Sequence, residues 1–229
     1  MVPASSGAQV NVTPVAVSGQ QAAGAEPGVR YKSFQDPMLG ADGTVTFVAS
    51  LNGAATNADS GLWMGGPGNL RPVAREGQAA SGLPQGVRYD DFTFNFNPLM
   101  VNAQDQVVFN GSVTGGGLFG RAIWAGSPQD PQLVARDAAN TADSTNGESY
   151  LFLRVADLND TGRVAFASAI NVPGDTRRTE GIWTGPPGGL SRAARSADPA
   201  AGTSEKFIAF GEPKLSNAGQ TFLPPASST

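Results

Sequence analysis

The sequence predicts an all-β fold built as a tandem repeat of four-stranded antiparallel units. Three observations lead to this prediction. A polar turn that runs into an apolar strand recurs four times, a tryptophan-bearing strand recurs three times, and Gly and Pro make up about a fifth of the 229 residues. Such use of Gly and Pro without a strict period indicates short strands joined by many turns. These residues also interrupt every candidate amphipathic helix.

The repeat is visible as markers that recur in the same order at intervals of about 59 residues. One marker is the turn and strand from Asn159 to Phe166, whose relatives begin at Gly40, Asn102 and Ser216. The others are an aromatic residue that opens a strand, a tryptophan in a strand that ends in a Gly/Pro turn, and an arginine after an apolar dipeptide. Their positions are Tyr31, Tyr89, Tyr150 and Phe207; Trp63, Trp124 and Trp183; Arg75, Arg136 and Arg195.

Each unit resolves into four short strands, expected in the third copy at about 150–155, 163–169, 180–184 and 190–195. The first two strands are joined by a turn around Gly162, where glycine supplies a positive φ, and the last two by the Gly/Pro turn at 185–189. The second and third strands are joined by longer polar connections that differ in every copy, at 51–60, 110–121 and 171–180. The longest connection follows the fourth strand and crosses to the next unit.

A four-stranded antiparallel unit at fixed spacing is typical of a β-propeller blade, with a β-solenoid and a β-sandwich as alternatives. We expect three blades at about 31–76, 89–136 and 150–195, a lone strand at 12–17 and a half blade at 206–223. Residues 1–13 are assigned to an N-terminal leader and 14–229 to a single repeat domain. Because propellers usually need four or more blades to close, we predict a partial or incompletely closed propeller-like fold.

Composition narrows the function classes. A net charge of −4 and a pI of about 4.8 do not match a nucleic-acid binder, and the one adjacent basic pair is Arg177-Arg178. The absence of Cys and His removes thiolate chemistry and the commonest general base and metal ligand. No apolar run is long enough to span a membrane, and the N-terminus does not read as a signal peptide. Either the protein is cytoplasmic or a targeting segment lies outside this sequence, and we favour the second alternative.

The motif Asn159-x-x-Gly162-x-x-Ala165-Phe166 resembles the signature of bacterial tandem-repeat proteins with the NxxGxxAF repeat. The Gly-Ile-Trp-x-Gly element at 181–185 and the Val-Ala-Arg element are also similar to that family, and the resemblance extends over residues 14–223. The third copy alone carries the full signature, since the second has Asp105 in place of Gly. The resemblance implies a propeller-like protein that is secreted or displayed at a bacterial surface, with no established biochemical role.

The repeated aromatic and basic residues each allow a functional and a structural interpretation. The three Trp residues could stack on sugars, but recurrence at blade spacing favours a role as core between blades, as for Phe47, Phe109 and Phe166. The three repeated arginines could ring an anionic ligand. We favour pairing with acids or turn carbonyls of the next blade, and the first copy has Val17 instead of arginine.

Two groups of acidic residues raise the possibility of chemistry. The run Asp157-Leu-Asn159-Asp160 superficially resembles a calcium loop, but it lacks the closing Glu, so a turn stabilised by Asx hydrogen bonds is favoured. Asp90 and Asp91, with Asn95 and Asn97, give the second unit a distinct polar face. Two carboxylates can hydrolyse glycosides, but neighbours on a strand point to opposite faces unless a bulge intervenes, so solvated surface is favoured.

The sequence thus predicts a non-catalytic β-propeller repeat module of a bacterial extracellular or cell-surface protein, with a scaffold or recognition role. The alternatives are a polysaccharide-acting propeller enzyme that uses Asp and Glu, and a calcium-dependent adhesion module. We assign no catalytic residue, no metal ligand and no cofactor, and the ligand-binding residues stay unassigned. The partner stays unassigned, with a glycan or a protein at a cell surface as the candidates and nucleic acid excluded. Any binding surface is expected on the variable connections at 51–60, 110–121 and 171–180.

Overall fold

The computed structural model describes residues 12–93, 99–142, 144, 146–200, 202 and 204–223, without the side chains of residues 155, 156 and 178. Sixteen β-strands and no helix occur within these residues. Most of the N-terminal leader, residues 1–11, and the last six residues of the repeat domain lie outside them. The all-β prediction is confirmed.

The strands form three complete blades and one half blade. Blade 1 contains β1 (Arg30–Phe34), β2 (Met38–Leu39), β3 (Val45–Asn52), β4 (Ser60–Gly65) and β5 (Arg71–Arg75). Blade 2 contains β6 (Arg88–Tyr89), β7 (Met100–Val101), β8 (Val107–Gly115), β9 (Leu118–Ser127) and β10 (Asp130–Arg136). Blade 3 contains β11 (Ser149–Leu158), β12 (Val164–Val172), β13 (Asp175–Gly185) and β14 (Ser191–Arg195). Half blade 4 contains β15 (Lys214–Leu215) and β16 (Thr221–Phe222).

Every blade is an antiparallel meander. Blade 1 has the order β1-β3-β4-β5, with β2 continuing the first strand beside β3, and the other blades repeat this arrangement. In blade 3, Val164 to Ile170 pair with β13, so that Phe166 lies opposite Trp183. Among the described residues, the hydrophobic clusters join each blade to the next but none joins blade 1 to half blade 4, so the propeller-like array is not a closed ring.

Two of the connections predicted as long polar loops are instead tight hairpins. In blade 3, β12 and β13 continue outward until Val172 pairs with Asp175, which leaves a two-residue turn at Pro173 and Gly174. In blade 2, Gly115 pairs with Leu118 across Gly116 and Gly117, both of which have positive φ. Glycine allows the left-handed backbone that a two-residue hairpin turn requires, so the polar residues pair as strand rather than loop.

The lone strand predicted at 12–17 is wrong, because none of these residues belongs to a strand. Val15 and Ala16 nevertheless pack against the core of blade 1, as Val73 and Ala74 of β5 pack against blade 2. The segment therefore sits where the fourth strand of a preceding blade would lie. Without a described neighbouring strand to supply ladder hydrogen bonds, it does not become a strand.

The core consists of layers between consecutive blades. We call the side of a blade that faces the preceding blade its leading face, and the side that faces the following blade its trailing face. In blade 2, Phe109 and Trp124 lie on the leading face against Val48 and Leu62 of blade 1, while Ile123 lies on the trailing face against blade 3. This alternation follows from the two-residue period of a strand, which buries a complete blade on both faces.

Candidate functional site

The repeated aromatic residues hold the segment that leads into each blade. The indole Nε1 of Trp124 donates to the Ser81 carbonyl at 2.9 Å, and the Tyr89 hydroxyl accepts from the Ser81 backbone N–H at 3.2 Å. The same pair of bonds recurs at Ala23 in blade 1 and at Ala142 in blade 3. All three Trp residues have 0% exposure, and each stacks on the Phe opposite. They are core residues, as predicted, and are closed to a sugar ligand.

The repeated arginines do not form a ring. Arg75 is buried and donates to Glu26 at 3.1 Å, and Arg195 binds Glu148 at 2.7 Å. Arg136 donates instead to the carbonyl of Asp137. The prediction that these arginines pair with the next blade is wrong. Glu26 and Glu148 belong to the segments that lead into the same blade, because those segments pass beside the outer fourth strand where the arginine lies.

The turn at 159–162 is an inter-blade joint. Oδ1 of Asn159 accepts from the backbone N–H groups of Thr161 and Arg163, which confirms the predicted Asx turn. Its Nδ2 donates to the carbonyl of Ser216 at 3.0 Å, and Asn102 donates in the same way to the carbonyl of Asn159 at 2.8 Å. Each asparagine thus ties its own turn to the turn of the following blade.

The neighbouring acids of this turn are used in the same joint. Asp157 accepts from the backbone N–H of Leu215 at 2.7 Å, and Asp160 accepts from Ala103 on one side and Asn217 on the other. Carboxylates that accept N–H donors in this way are directed at protein rather than at a shared cation position. Among the described residues, no group of three or more acidic side chains is placed to hold a metal ion.

Asp90 and Asp91 lie at a β-bulge. The N–H of Asp90 donates to the carbonyl of Ser112, while the N–H of Ser112 donates to the carbonyl of Asp91, so two residues oppose one. The Ser112 hydroxyl donates to the Asp90 carboxylate at 3.1 Å, and Asp91 accepts from Thr93 at 2.7 Å. The expectation of freely solvated carboxylates is therefore wrong, because both side chains are half-buried with internal partners. Asn95 and Asn97 lie outside the described residues.

The basic pair Arg177-Arg178 lies at the outer edge of blade 3. Arg177 forms an ion pair with Asp175 at 2.7 Å. The hydrogen bonds from the side chain and the backbone N–H of Arg177 lower the pKa of Asp175 to about 2. The carboxylate of Asp175 balances the positive charge of the exposed Arg177, so this arginine is a poor candidate for binding an anion. The side chain of Arg178 lies outside the described residues.

A second set of hydrogen bonds between consecutive blades was not predicted from the sequence. In each of these bonds, a side chain near the edge of one blade accepts from a backbone N–H of the next blade. The backbone N–H groups of Phe92, Leu153 and Phe210 donate to Ser60, Asp137 and Glu180 of the preceding blade, at 3.2–3.3 Å. The acceptor lies three residues before the tryptophan of the third strand in blades 1 and 3, and just after the fourth strand in blade 2. This change of position hides the joint from a repeat alignment.

Glu76 supports the first of these joints. It is 8% exposed, and its Oε2 accepts from the N–H and hydroxyl of Ser60 at 3.0 and 3.1 Å. Burial, opposed by the bond from Ser60 and reinforced by the charges of Asp59 and Asp91, raises the pKa of Glu76 to about 7. A carboxyl group with such a pKa could transfer protons, but here its Oε2 already accepts hydrogen bonds from Ser60, the first residue of β4.

A cleft of about 570 Å³ lies between blades 1 and 2, at the end where the short turns meet. Its apolar surface comes from Met64 and Val73, and its polar lining includes amide, guanidinium and carboxyl groups. These polar groups belong to Asn69, Arg71, Gln104, Asp105, Gln106 and Gln129. None of the lining residues comes from the variable connections at 51–60, 110–121 and 171–180, where a binding surface was expected.

Asp105, in the lining of the cleft, has an unusual backbone conformation and an unfavourable environment for its carboxyl group. It occupies the turn position held elsewhere by Gly43, Gly162 and Gly219, and like them it has a positive φ, of 55°. Burial, followed by the charge of Asp42 and a hydrogen bond with it, raises the pKa of Asp105. Strained backbone and an unfavourable carboxyl environment at a cleft are features that often accompany binding sites.

Comparison with known families agrees with the repeat. A model described as a family of unknown function, DUF7453, matches residues 4–119 and again residues 118–224. The chain belongs to this family. No curated protein and no solved structure matches the chain. The two matches meet at the start of β9, so the boundary between the two matched units lies inside blade 2. No helix among the described residues is long and apolar enough to cross a membrane.

Proposed function

We propose that this chain is a non-catalytic recognition module of a bacterial extracellular or cell-surface protein, and that the cleft between blades 1 and 2 binds a neutral glycan. The localisation is supported by the resemblance to secreted NxxGxxAF repeat proteins. The recognition role is supported by the cleft itself, whose lining combines apolar side chains with several polar ones, as ligand sites do.

The chemistry of the lining favours hydroxylated, uncharged ligands. The side-chain amides of Asn69, Gln104 and Gln129 can each donate and accept, as sugar hydroxyl groups do. Arg71 and Asp105 contribute one positive and one acidic group, so the cleft has no strong preference for a charged ligand. Arg71 is exposed and has no hydrogen bond or ion pair within the described part of the chain, which leaves its guanidinium available.

The non-catalytic assignment is supported by how the acids are used. Asp90, Asp91, Asp137, Asp157 and Glu180 accept hydrogen bonds from protein groups. Glycoside hydrolysis requires two carboxyl groups that flank a scissile bond. In the cleft, the lining carboxyl group is that of Asp105 alone.

The test is a glycan array followed by calorimetric titration with the best-bound oligosaccharide. We expect Arg71→Ala to weaken binding by about 10-fold or more, which is the loss of one charge-assisted hydrogen bond. Lys32→Ala is the matched control, because it removes one exposed positive charge from blade 1 outside the cleft lining. Equal binding by Arg71→Ala and wild type would refute the cleft assignment. Release of reducing ends from a bound glycan would refute the non-catalytic assignment.

A further inference from the structure

The three junctions inside the chain always join the same two kinds of surface. The leading face presents an aromatic group, in which the rings of Tyr89 and Phe92 lie 5.4 Å apart at 45°. The trailing face of the preceding blade covers this group with aliphatic side chains, so that Phe92 is 1% exposed. The equivalent residues Leu153 and Phe210 are 1% and 2% exposed, because blades 2 and 3 cover them in turn.

Blade 1 carries the same leading face, and no described part of the chain covers it. The rings of Tyr31 and Phe34 again lie 5.4 Å apart at 45°, so Phe34 is the counterpart of Phe92. Phe34 is nevertheless 38% exposed. Leu39, which pairs with Val45 as Val101 pairs with Val107, is 71% exposed, whereas Val101 packs into the core between blades 1 and 2. The surface has the composition of a buried junction but lacks its second half.

The opposite end of the array carries an uncovered trailing face. Leu223 of half blade 4 packs towards blade 3, so the preceding residue in the extended chain, Phe222, points to the other side. Phe222 stands where Val108 stands in blade 2, and Val108 is fully buried against blade 3. Phe222 is 66% exposed. Among residues 12–223, as far as they are described, two apolar surfaces are therefore uncovered, one of each kind that the internal junctions bring together.

The family match supplies an example of how two such ends join. The first matched unit ends at residue 119 and the second begins at residue 118, at the start of β9. Blade 2 is thus completed by the last strands of one unit and the first strands of the next. Half blade 4 contains counterparts of β7 and of the start of β8, which the first unit contributes to blade 2, and Val15 and Ala16 occupy the fourth-strand position ahead of blade 1.

We propose that two copies of this chain associate head to tail, with the leading face of blade 1 of one copy packed on the trailing face of half blade 4 of the other. The contact is heterologous, because different surfaces of the two copies meet. Two such contacts close a ring of two copies if the rotation permits, and otherwise further copies add in sequence. The occupant of the Phe34 surface is Phe222 of a second copy, in the place that Val108 of blade 2 takes in the core shared with Leu153 of blade 3.

The test is the mass of the full chain in solution, measured by sedimentation velocity and light scattering up to about 100 µM, well above the Kd of a specific interface. We expect wild type to form dimers or larger species. Phe34→Glu and Phe222→Glu should each weaken association by about 30-fold or more, as loss of a central interface residue does. Phe119→Glu is the matched control, because Phe119 is 83% exposed on β9 of blade 2, away from both ends.

A mixture of the two variants distinguishes this contact from any other. Each variant keeps one intact face, so Phe34→Glu and Phe222→Glu should be monomeric alone and form a one-to-one dimer when mixed. Failure of the mixture to associate, a monomeric wild type, or dissociation by Phe119→Glu as well would each overturn the proposal. Thermal melting confirms that each variant is folded, and Phe34→Ser replaces Phe34→Glu if the charge prevents folding.

Discussion

Replacement of Asn159 tests whether its turn is a joint between blades as well as a local turn. Asn159→Ala removes the Oδ1 that accepts from Thr161 and Arg163 and the Nδ2 that donates to Ser216. Asn159 is 3% exposed, so water cannot fully replace these partners. At about 0.5–1.5 kcal/mol for each hydrogen bond, we expect the free energy of unfolding to fall by about 2–3 kcal/mol.

The chain itself suggests a variant that separates the two roles. At the equivalent position of half blade 4, the hydroxyl of Ser216 accepts from the N–H of Gln220, as Oδ1 of Asn159 accepts from Arg163. Asn159→Ser should therefore keep the local turn but lose the bond to the next blade, at a cost of about 1 kcal/mol. Urea unfolding followed by tryptophan fluorescence measures both variants. The joint is refuted if Asn159→Ser matches wild type within about 0.3 kcal/mol, or if it costs as much as Asn159→Ala.

Three further predictions concern individual side chains. Asp105→Gly should raise the free energy of unfolding by about 0.5–1 kcal/mol in urea titrations. The change removes the cost of a positive φ at a residue with a side chain and the unfavourable contact between the carboxyl groups of Asp105 and Asp42. A loss of stability would contradict this. The pKa of Glu76 is raised from 4.5 to about 7, so the contribution of its carboxyl group to stability is fully present below pH 4.5 and is lost as the pH rises through 7. Glu76→Gln should therefore gain about 2 kcal/mol in free energy of unfolding over wild type between pH 5 and 8. Parallel pH profiles of the two proteins would rule this out. Trp124→Phe should cost about 2–3 kcal/mol and shift the melting temperature, because the Ser81 carbonyl loses its donor and the core loses volume, whereas an unchanged melting curve would mean that the segment is held by other contacts.

The blade plan was predictable because it depends on local pattern. The two-residue alternation around Phe47, Phe109 and Phe166 marks strands with two buried faces, and the Gly/Pro turns mark their ends. Recurrence at a fixed interval then indicates a stack of equal units, since a unit that cannot bury its faces alone must pack against its neighbours. The same reasoning correctly placed the tryptophans in the core.

The predictions that failed depend on strand pairing beyond a single segment. The polar connections at 110–121 and 171–180 read as loops, yet their residues extend the hairpins because glycines allow tight two-residue turns. Residues 12–17 read as a strand, yet they have no described strand to pair with. Hydrogen-bond partners of this kind are not encoded in the composition of the segment itself.

The sequence by itself determined that the chain is an all-β tandem repeat, that cysteine and histidine chemistry is excluded, and that the repeated Trp residues and the Phe residues opposite them form the core. The tertiary structure alone decided which polar groups form hydrogen bonds with other parts of the protein. It showed that the acids around Asn159 bind neighbouring turns, that Asp90 and Asp91 meet at a bulge, and that the cleft forms where turns of two blades approach. The physical reason is distance along the chain. These contacts join residues that are 22 to 58 positions apart, and they are set by strand pairing within a blade and by packing between blades rather than by any local pattern.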